Sequence, residues 1–369
     1  MQEITQETIS DVAIYAGYMM FTFSFAQFIF SPILGSLSDH YGRRPILILS
    51  LLGLGIDYII LTFANSLSWL FLGRILTGIM GASYTTALAY IADISTLKTR
   101  PKNFGLVQAA TGLGFMIGPF IGGVLGDINS RLPFIVAAIL AISNAIYGVF
   151  FLPESLAFNK RSRFTLKGIN PFSNILYFTK NPKLTLVMVA YFLFHMGESV
   201  FPSIWPFFTI EKFNWSLTMI GYSLGFFGFS LIVIQSLLAE PVIKLLGKRT
   251  TILVGITITV IGYSACGVTD RGWHMFPISL LFELGWLSMT AFLSLAVAMV
   301  PDNEQGKFQG ALASLISATN ILGPLAMTQI FSYFTQDDKF YYFPGAPFLF
   351  AGLLALLSLP ICYYWTKPK

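Results

Sequence analysis

Charge is what this sequence has least of. Only 11% of its 369 residues are Asp, Glu, Lys or Arg, whereas a soluble domain carries about 25%. Such a chain cannot coat itself for water. With 55% hydrophobic residues and a mean hydropathy of +0.72, lipid must be the solvent for much of it. Cysteine is equally sparse. Cys266 and Cys362 each lie inside an apolar run and form no metal or redox motif. No nucleophile–base set, metal cluster or cofactor loop is present, which argues against an enzyme and against a bound cofactor. Met1 to Asp11 is polar, holds no Lys or Arg, and does not read as a cleavable signal peptide. The net charge of +5 would ordinarily raise nucleic acid as a partner. Most of the basic residues, however, fall between apolar runs, so no nucleic-acid partner is expected.

The apolar runs are abundant. A span needs roughly 20 predominantly apolar residues, and eleven such runs can be read. Residues 1–152 hold five, at about 13–36, 44–64, 68–91, 104–126 and 131–152. Residues 184–369 hold six, at about 184–207, 217–239, 250–268, 274–299, 308–334 and 344–366. Between them, 153–183 carries Pro153, Glu154 and six Lys or Arg, and reads as a cytosolic linker. Lys and Arg concentrate on the cytoplasmic side of membrane proteins. Placing the turn at Gly42 there puts seventeen of the 22 basic residues in cytosolic segments. Arg131, Lys212, Arg271 and Lys339 fall outside and Arg74 falls within a span. The linker and the C-terminus are then cytosolic.

The turn at Gly42 also has a copy. Gly42-Arg43-Arg44 is answered 205 residues later by Gly247-Lys248-Arg249, and at the same offset Tyr58 meets Tyr263, Gly105 meets Gly310, and Gly118-Pro119 meets Gly323-Pro324. Coincidences at one spacing argue for a duplicated unit. Two parallel membrane halves are an architecture of transporters. The expected fold is all-α, two helical bundles of five and six spans around a central cavity. The offset leaves the first half one span short, with the gap before residue 13. The expectation is therefore a first span lost to a truncated or misassigned start; a true eleven-span protein is the alternative.

Gly35-x-x-x-Asp39-x-x-Gly42-Arg43-Arg44 resembles the loop after the second span of the major facilitator superfamily. Gly73-Arg74 with Thr77-Gly78 resembles its fourth-span motif, and Gly114-x-x-x-Gly118-Pro119-x-x-Gly122-Gly123 the fifth-span motif of its drug–proton antiporters. Pro153-Glu154-Ser155 is similar to the end of the first half of many such exporters. Asp57-Tyr58, Ala89-Tyr90-Ile91-Ala92-Asp93-Ile94 and Arg271-Gly272-Trp273 are similar to bacterial tetracycline-resistance efflux proteins. The resemblance covers essentially the whole chain. It departs at Leu231, where the family's eighth-span histidine is expected, and at Thr259, where its ninth-span aspartate is expected.

The residues suggest three sites. Asp39, Arg43, Arg44 and Asp93, with Gly35 and Gly42 permitting the tight turn, can form charge-assisted hydrogen bonds. The resemblance makes this a latch between the two halves that must break during alternating access; a positive-inside anchor with incidental ion pairs is the plainer reading. Gly114, Gly118, Pro119, Gly122 and Gly123 form a small-residue stripe, suited to close helix packing or, by resemblance, to a hinge or seal. Ionisable groups inside spans cost about 2.5–3.5 kcal/mol each. Asp57 is expected to face a cavity and bind substrate or a cation, or else to sit hydrogen-bonded in a helix interface. Arg74 resembles an arginine implicated in proton coupling, or it snorkels to the headgroups. His195 and Glu198 share a helical face and can relay protons, as can Glu283, with Trp286 one turn on to stack with a substrate.

Together these imply export of a small amphipathic drug-like compound, driven by the proton gradient, by a monomer in the bacterial inner membrane. Proton-coupled uptake or exchange of a nutrient is an alternative, and so is a non-transporting receptor or degenerate transporter.

Overall fold

The structure is a computed structural model that describes residues 1–96, 98–162, 182–301, 304–336 and 341–366. Every regular element among the described residues is helical. After the short α1 (Gln2–Thr5) come α2 (Ile9–Tyr41), α3 (Arg43–Phe63), α4 (Leu67–Gly81), α5 (Tyr84–Asp93), α6 (Arg100–Ile128) and α7 (Leu132–Phe151). A 3-10 turn at Phe158–Lys160 follows. Then come α8 (Pro182–Glu198), α9 (Val200–Phe213), α10 (Leu217–Val268), α11 (Met275–Val297), α12 (Gln305–Thr335) and α13 (Ala346–Trp365). Pro32, Pro119, Pro206, Pro241, Pro324 and Pro360 all sit inside helices. Membrane helices tolerate this because neighbouring groups re-satisfy the freed backbone.

Among the described residues ten helical stretches are long and apolar enough to cross a membrane, against eleven read from the sequence. The difference lies in α10, whose 52 residues span roughly 78 Å, far more than one bilayer crossing. Gly247 interrupts it with φ 75° and ψ 156°, between the runs read at 217–239 and 250–268. Gly42, its counterpart 205 residues earlier, has φ 106° and ψ 159° just before α3. Both copies of the basic turn therefore place glycine in a positive-φ conformation that a Cβ disfavours, so the repeat in sequence is also a repeat in backbone.

The chain divides into two compact units: the described residues of Met1–Gln6 with Met19–Pro171, and those of Glu7–Tyr18 with Phe172–Lys369. Residues 163–181 of the linker read at 153–183, and the C-terminal 367–369, lie outside the described residues. In the first unit the clustered core is small, built on Leu34, Ile46 and Ala82, and many large apolar side chains on α3, α6 and α7 are exposed, as lipid-facing helices require. The second unit is better filled. Phe194, Phe208, Phe292, Phe308, Phe331 and Phe348 are all fully buried. The opening turns of α2 belong to this unit: the Ser10 hydroxyl donates to Thr335 O at 2.9 Å. Helices α10 and α11 approach closely where glycines allow it. A Cβ on Gly255 would meet Ser288 Cβ at 2.6 Å, and one on Gly285 would collide with the Thr259 hydroxyl. Thr259 is thus a packing residue, 2% exposed, with no room beside it for a larger acidic side chain.

Candidate functional site

The first unit gathers its charges where α2 ends and α3 begins. Gly42 turns the chain, and the N–H groups of Arg43 and Arg44 start α3 without intrahelical acceptors. Glu154, more than 100 residues away, supplies them: Oε1 accepts from Arg43 N at 2.9 Å and Oε2 from Arg44 N at 3.2 Å. A carboxylate at a helix N-terminus also meets the positive end of the helix dipole. Oε1 further accepts from Leu156 N at 3.0 Å. Gly42 is needed here twice over, since any Cβ would collide with Glu154 Oε2.

Arg43 is the hub. Its side chain is 10% exposed and pairs through Nη1 with Asp39 at 2.5 Å and through Nε with Asp93 at 3.2 Å. Nη1 also donates to the Ser38 hydroxyl at 2.7 Å, which in turn donates to Gly35 O at 2.7 Å. Ser155 donates to Asp93 Oδ2 at 3.1 Å. The expected trio of Arg43, Asp39 and Asp93 is therefore assembled. Arg44 differs: it does not pair with Asp39, and its Nη2 donates instead to Val149 O at 2.5 Å, near the end of α7. The following segment lies along the turn, with Ser162 N donating to Asp39 O at 3.0 Å. Sequence reasoning missed Glu154, Ser155 and Ser38. The signal for the first two was the Pro153-Glu154-Ser155 run, quoted for its resemblance but given no partner.

Asp57 is fully buried where α3 meets α4. Thr77 donates to its Oδ2, while Oδ1 has no hydrogen-bond donor. A Cβ on Gly73 would meet Oδ1 at 2.7 Å, so this glycine makes the space the carboxyl fills. The structure thus places Asp57 in a helix interface rather than facing an open cavity. Arg74 is partly exposed, lies within electrostatic range of Asp57, and forms no ion pair among the described residues. The glycine stripe of α6 is open in the structure: a Cβ on Gly114, Gly118 or Gly122 would meet nothing within 4 Å. Gly123 is partly exposed, and α6 continues through Pro119.

In the second unit, Tyr191, His195 and Glu198 follow one another on the last turns of α8. His195 Nε2 lies 2.8 Å from the Tyr191 hydroxyl, and Nδ1 lies 3.3 Å from Glu198 Oε2. Glu283 on α11 is fully buried and within electrostatic range of Glu198. The structure therefore pairs His195 with Glu198, and Glu283 stands on another helix with no hydrogen-bond partner. Trp286 is 37% exposed and is not enclosed with Glu283. Tyr191, one turn before His195, was the missed member. Among the described residues no group of His, Cys, Asp or Glu is arranged to hold a metal ion.

Comparison with known proteins bears on what such an arrangement belongs to. The profile of the Major Facilitator Superfamily matches residues 3–190 and 187–369. The class C tetracycline resistance protein of Escherichia coli is 37% identical over 349 residues, covering 95% of this chain and 87% of that protein. Multidrug resistance protein 2 of Bacillus subtilis (strain 168) is 30% identical over 361 residues, covering 96% and 86%. Among solved structures, the nucleoside transporter NupG superposes with a TM-score of 0.78 at 12% identity, covering 96% and 91%, a likeness of fold alone. A profile that matches both halves, near-full-length relatives and, among the described residues, ten helical stretches long and apolar enough to cross a membrane make this chain an integral multi-pass membrane protein belonging to the major facilitator superfamily.

Proposed function

We propose that this protein exports a small amphipathic drug of the tetracycline type across the bacterial inner membrane in exchange for protons. The observation that carries the reading is the near-full-length match to tetracycline resistance proteins. It is supported by Asp57, a carboxyl buried inside a span where the resemblance assigns one. The basic turns at Gly42 and Gly247, the linker and the C-terminus face the cytosol, the protein acts as a monomer, and no cofactor takes part. The Arg43 network serves as the latch of the first unit: it ties together the ends of α2, α3, α5 and the segment after α7, all within that unit. Two departures constrain the proton route. Thr259 is packed against Gly285 and Leu231 carries no proton, so neither position contributes, and Asp57 is the coupling group of the first unit.

The direct test is drug tolerance. Cells expressing the chain are expected to tolerate several-fold more tetracycline than cells with empty vector, and to accumulate less of it until the proton gradient is collapsed. Unchanged tolerance and accumulation at confirmed membrane expression would overturn the export reading.

A further inference from the structure

Helices α10 and α13 touch at one end and leave a cleft at the other. A Cβ on Gly345, just before α13, would collide with Gly267 O near the end of α10, so the two backbones meet there. Toward the Gly247 turn they enclose a cleft of about 500 Å³, within the range of about 300–1,000 Å³ typical of small-molecule sites. Leu253, Val254, Thr257 and Ile258 line it from α10, at a spacing that puts them on one helical face. Leu359, Pro360 and Tyr363 line it from α13. Thr257 is satisfied within its own helix, its hydroxyl donating to Leu253 O at 2.8 Å. Apart from the Tyr363 hydroxyl, the wall therefore presents hydrocarbon. Val254, Thr257, Pro360 and Tyr363 are exposed, so no described residue closes the cleft.

Its end nearest Gly247 is basic. The Arg249 guanidinium lies over the Tyr363 ring, 5.3 Å from the centroid, a cation–π distance that holds it at the mouth of the cleft. Lys248 precedes it and is exposed. In the first unit the matching turn is neutralised: Arg43 pairs with Asp39 and Asp93, and Glu154 takes the N–H groups of Arg43 and Arg44. The second turn differs. Lys244 pairs with Glu240 at 2.5 Å, but among the described residues no carboxylate pairs with Lys248 or Arg249. A Cβ on Gly247 would meet nothing within 4 Å, whereas one on Gly42 would collide with Glu154. Two cations thus stand uncovered at the mouth of an apolar cleft. From Arg249 to Ile258 the helix rises about 14 Å, close to half of the roughly 30 Å hydrocarbon core, which is the depth of one leaflet.

We propose that this cleft is a binding site for one anionic phospholipid from the leaflet at the Gly247 turn. The phosphate pairs with Lys248 and Arg249, and one acyl chain lies between α10 and α13. Basic pockets between membrane helices hold anionic headgroups in this way. A zwitterionic lipid would bring an ammonium group against two unpaired cations, and a free phosphate would leave the apolar wall unused. That the leaflet is the cytosolic one rests on the orientation proposed above; the site itself does not.

The test uses full-length protein in phosphatidylcholine nanodiscs doped with a phosphatidylglycerol whose acyl chain carries a diazirine. After irradiation, peptide mass spectrometry locates the label. It is expected to concentrate in peptides holding 253–258 and 359–363, and the matching phosphatidylcholine probe should label them about threefold less or weaker still. Lys248→Gln combined with Arg249→Gln should cut the phosphatidylglycerol label there about tenfold. Lys244→Gln, at a cation already paired, should leave it unchanged. Equal labelling by the two lipids, label spread evenly over the lipid-facing helices, or label that survives the double substitution would overturn the site. Loss of label on adding inorganic phosphate or tetracycline would overturn the lipid as occupant. The wild-type comparison of the two probes needs no variant, so misfolding of the double variant cannot obscure it. No transport is measured, so an inactive exporter that labels as expected keeps the site, and an active one that does not loses the site alone.

Discussion

Asp57→Asn is expected to abolish tetracycline efflux driven by a pH gradient while leaving the protein folded. The two side chains have the same shape. In the structure Thr77 donates to Oδ2 and Oδ1 has no donor, so an asparagine can keep its carbonyl toward Thr77 and lose little. A single neutral hydrogen bond contributes about 0.5–1.5 kcal/mol net, and here it is retained. What disappears is the exchangeable proton. Efflux in everted vesicles under an acid-inside gradient should fall about tenfold or more, with thermal unfolding nearly unchanged. Gly73→Ala approaches the same site from the other helix. Its Cβ would press on Oδ1 at 2.7 Å, so efflux should fall although every titratable group remains. Full activity in Asp57→Asn would remove Asp57 from the proton route.

Arg43→Ala is expected to do the opposite, lowering stability and transport together. Exposed ion pairs contribute only about 0–1 kcal/mol each, so one pair would not justify this. Arg43, however, is 10% exposed and holds Asp39, Asp93 and Ser38 at once. Removing it leaves the less exposed Asp93 with Ser155 as its remaining side-chain donor. Hydrogen bonds to charged groups are each worth about 1.5–3 kcal/mol, and a loss of about 3 kcal/mol in unfolding free energy is expected. Arg43→Lys restores the charge without the planar fork; it should recover part of the stability and little of the transport. Asp39→Asn, at a side chain 47% exposed, should change stability by less than about 1 kcal/mol. Wild-type efflux in Arg43→Ala would show that the network is only an anchor.

Much of this was legible in the sequence because lipid simplifies the code. With no water in the bilayer core, a run of about 20 apolar residues has one stable form, the helix; the runs therefore predicted the helices, and the interior prolines did not break them. The repeat was legible for a backbone reason, since Gly42 and Gly247 fill the same positive-φ position. Arg43 with Asp39 and Asp93 could be read because motif and span ends placed them together. Glu154 could not. Nothing local says that a carboxylate 111 positions downstream caps α3; that follows from how the helices pack. The α6 stripe shows a related limit: glycines at four-residue spacing allow a close approach but do not name the helix that makes it. Asp57 shows the remaining gap, because a carboxyl inside a span reads the same whether it lines a cavity or packs against Gly73.

Exchange of drug for proton can be read out by counterflow in proteoliposomes. With purified protein in vesicles holding a pH-sensitive dye, an imposed tetracycline gradient and no initial pH difference should drive protons opposite to the drug. Reversing the drug gradient should reverse the pH change, and Asp57→Asn should abolish it. Drug movement with no pH change, or with protons travelling in the same direction as the drug, would contradict the account.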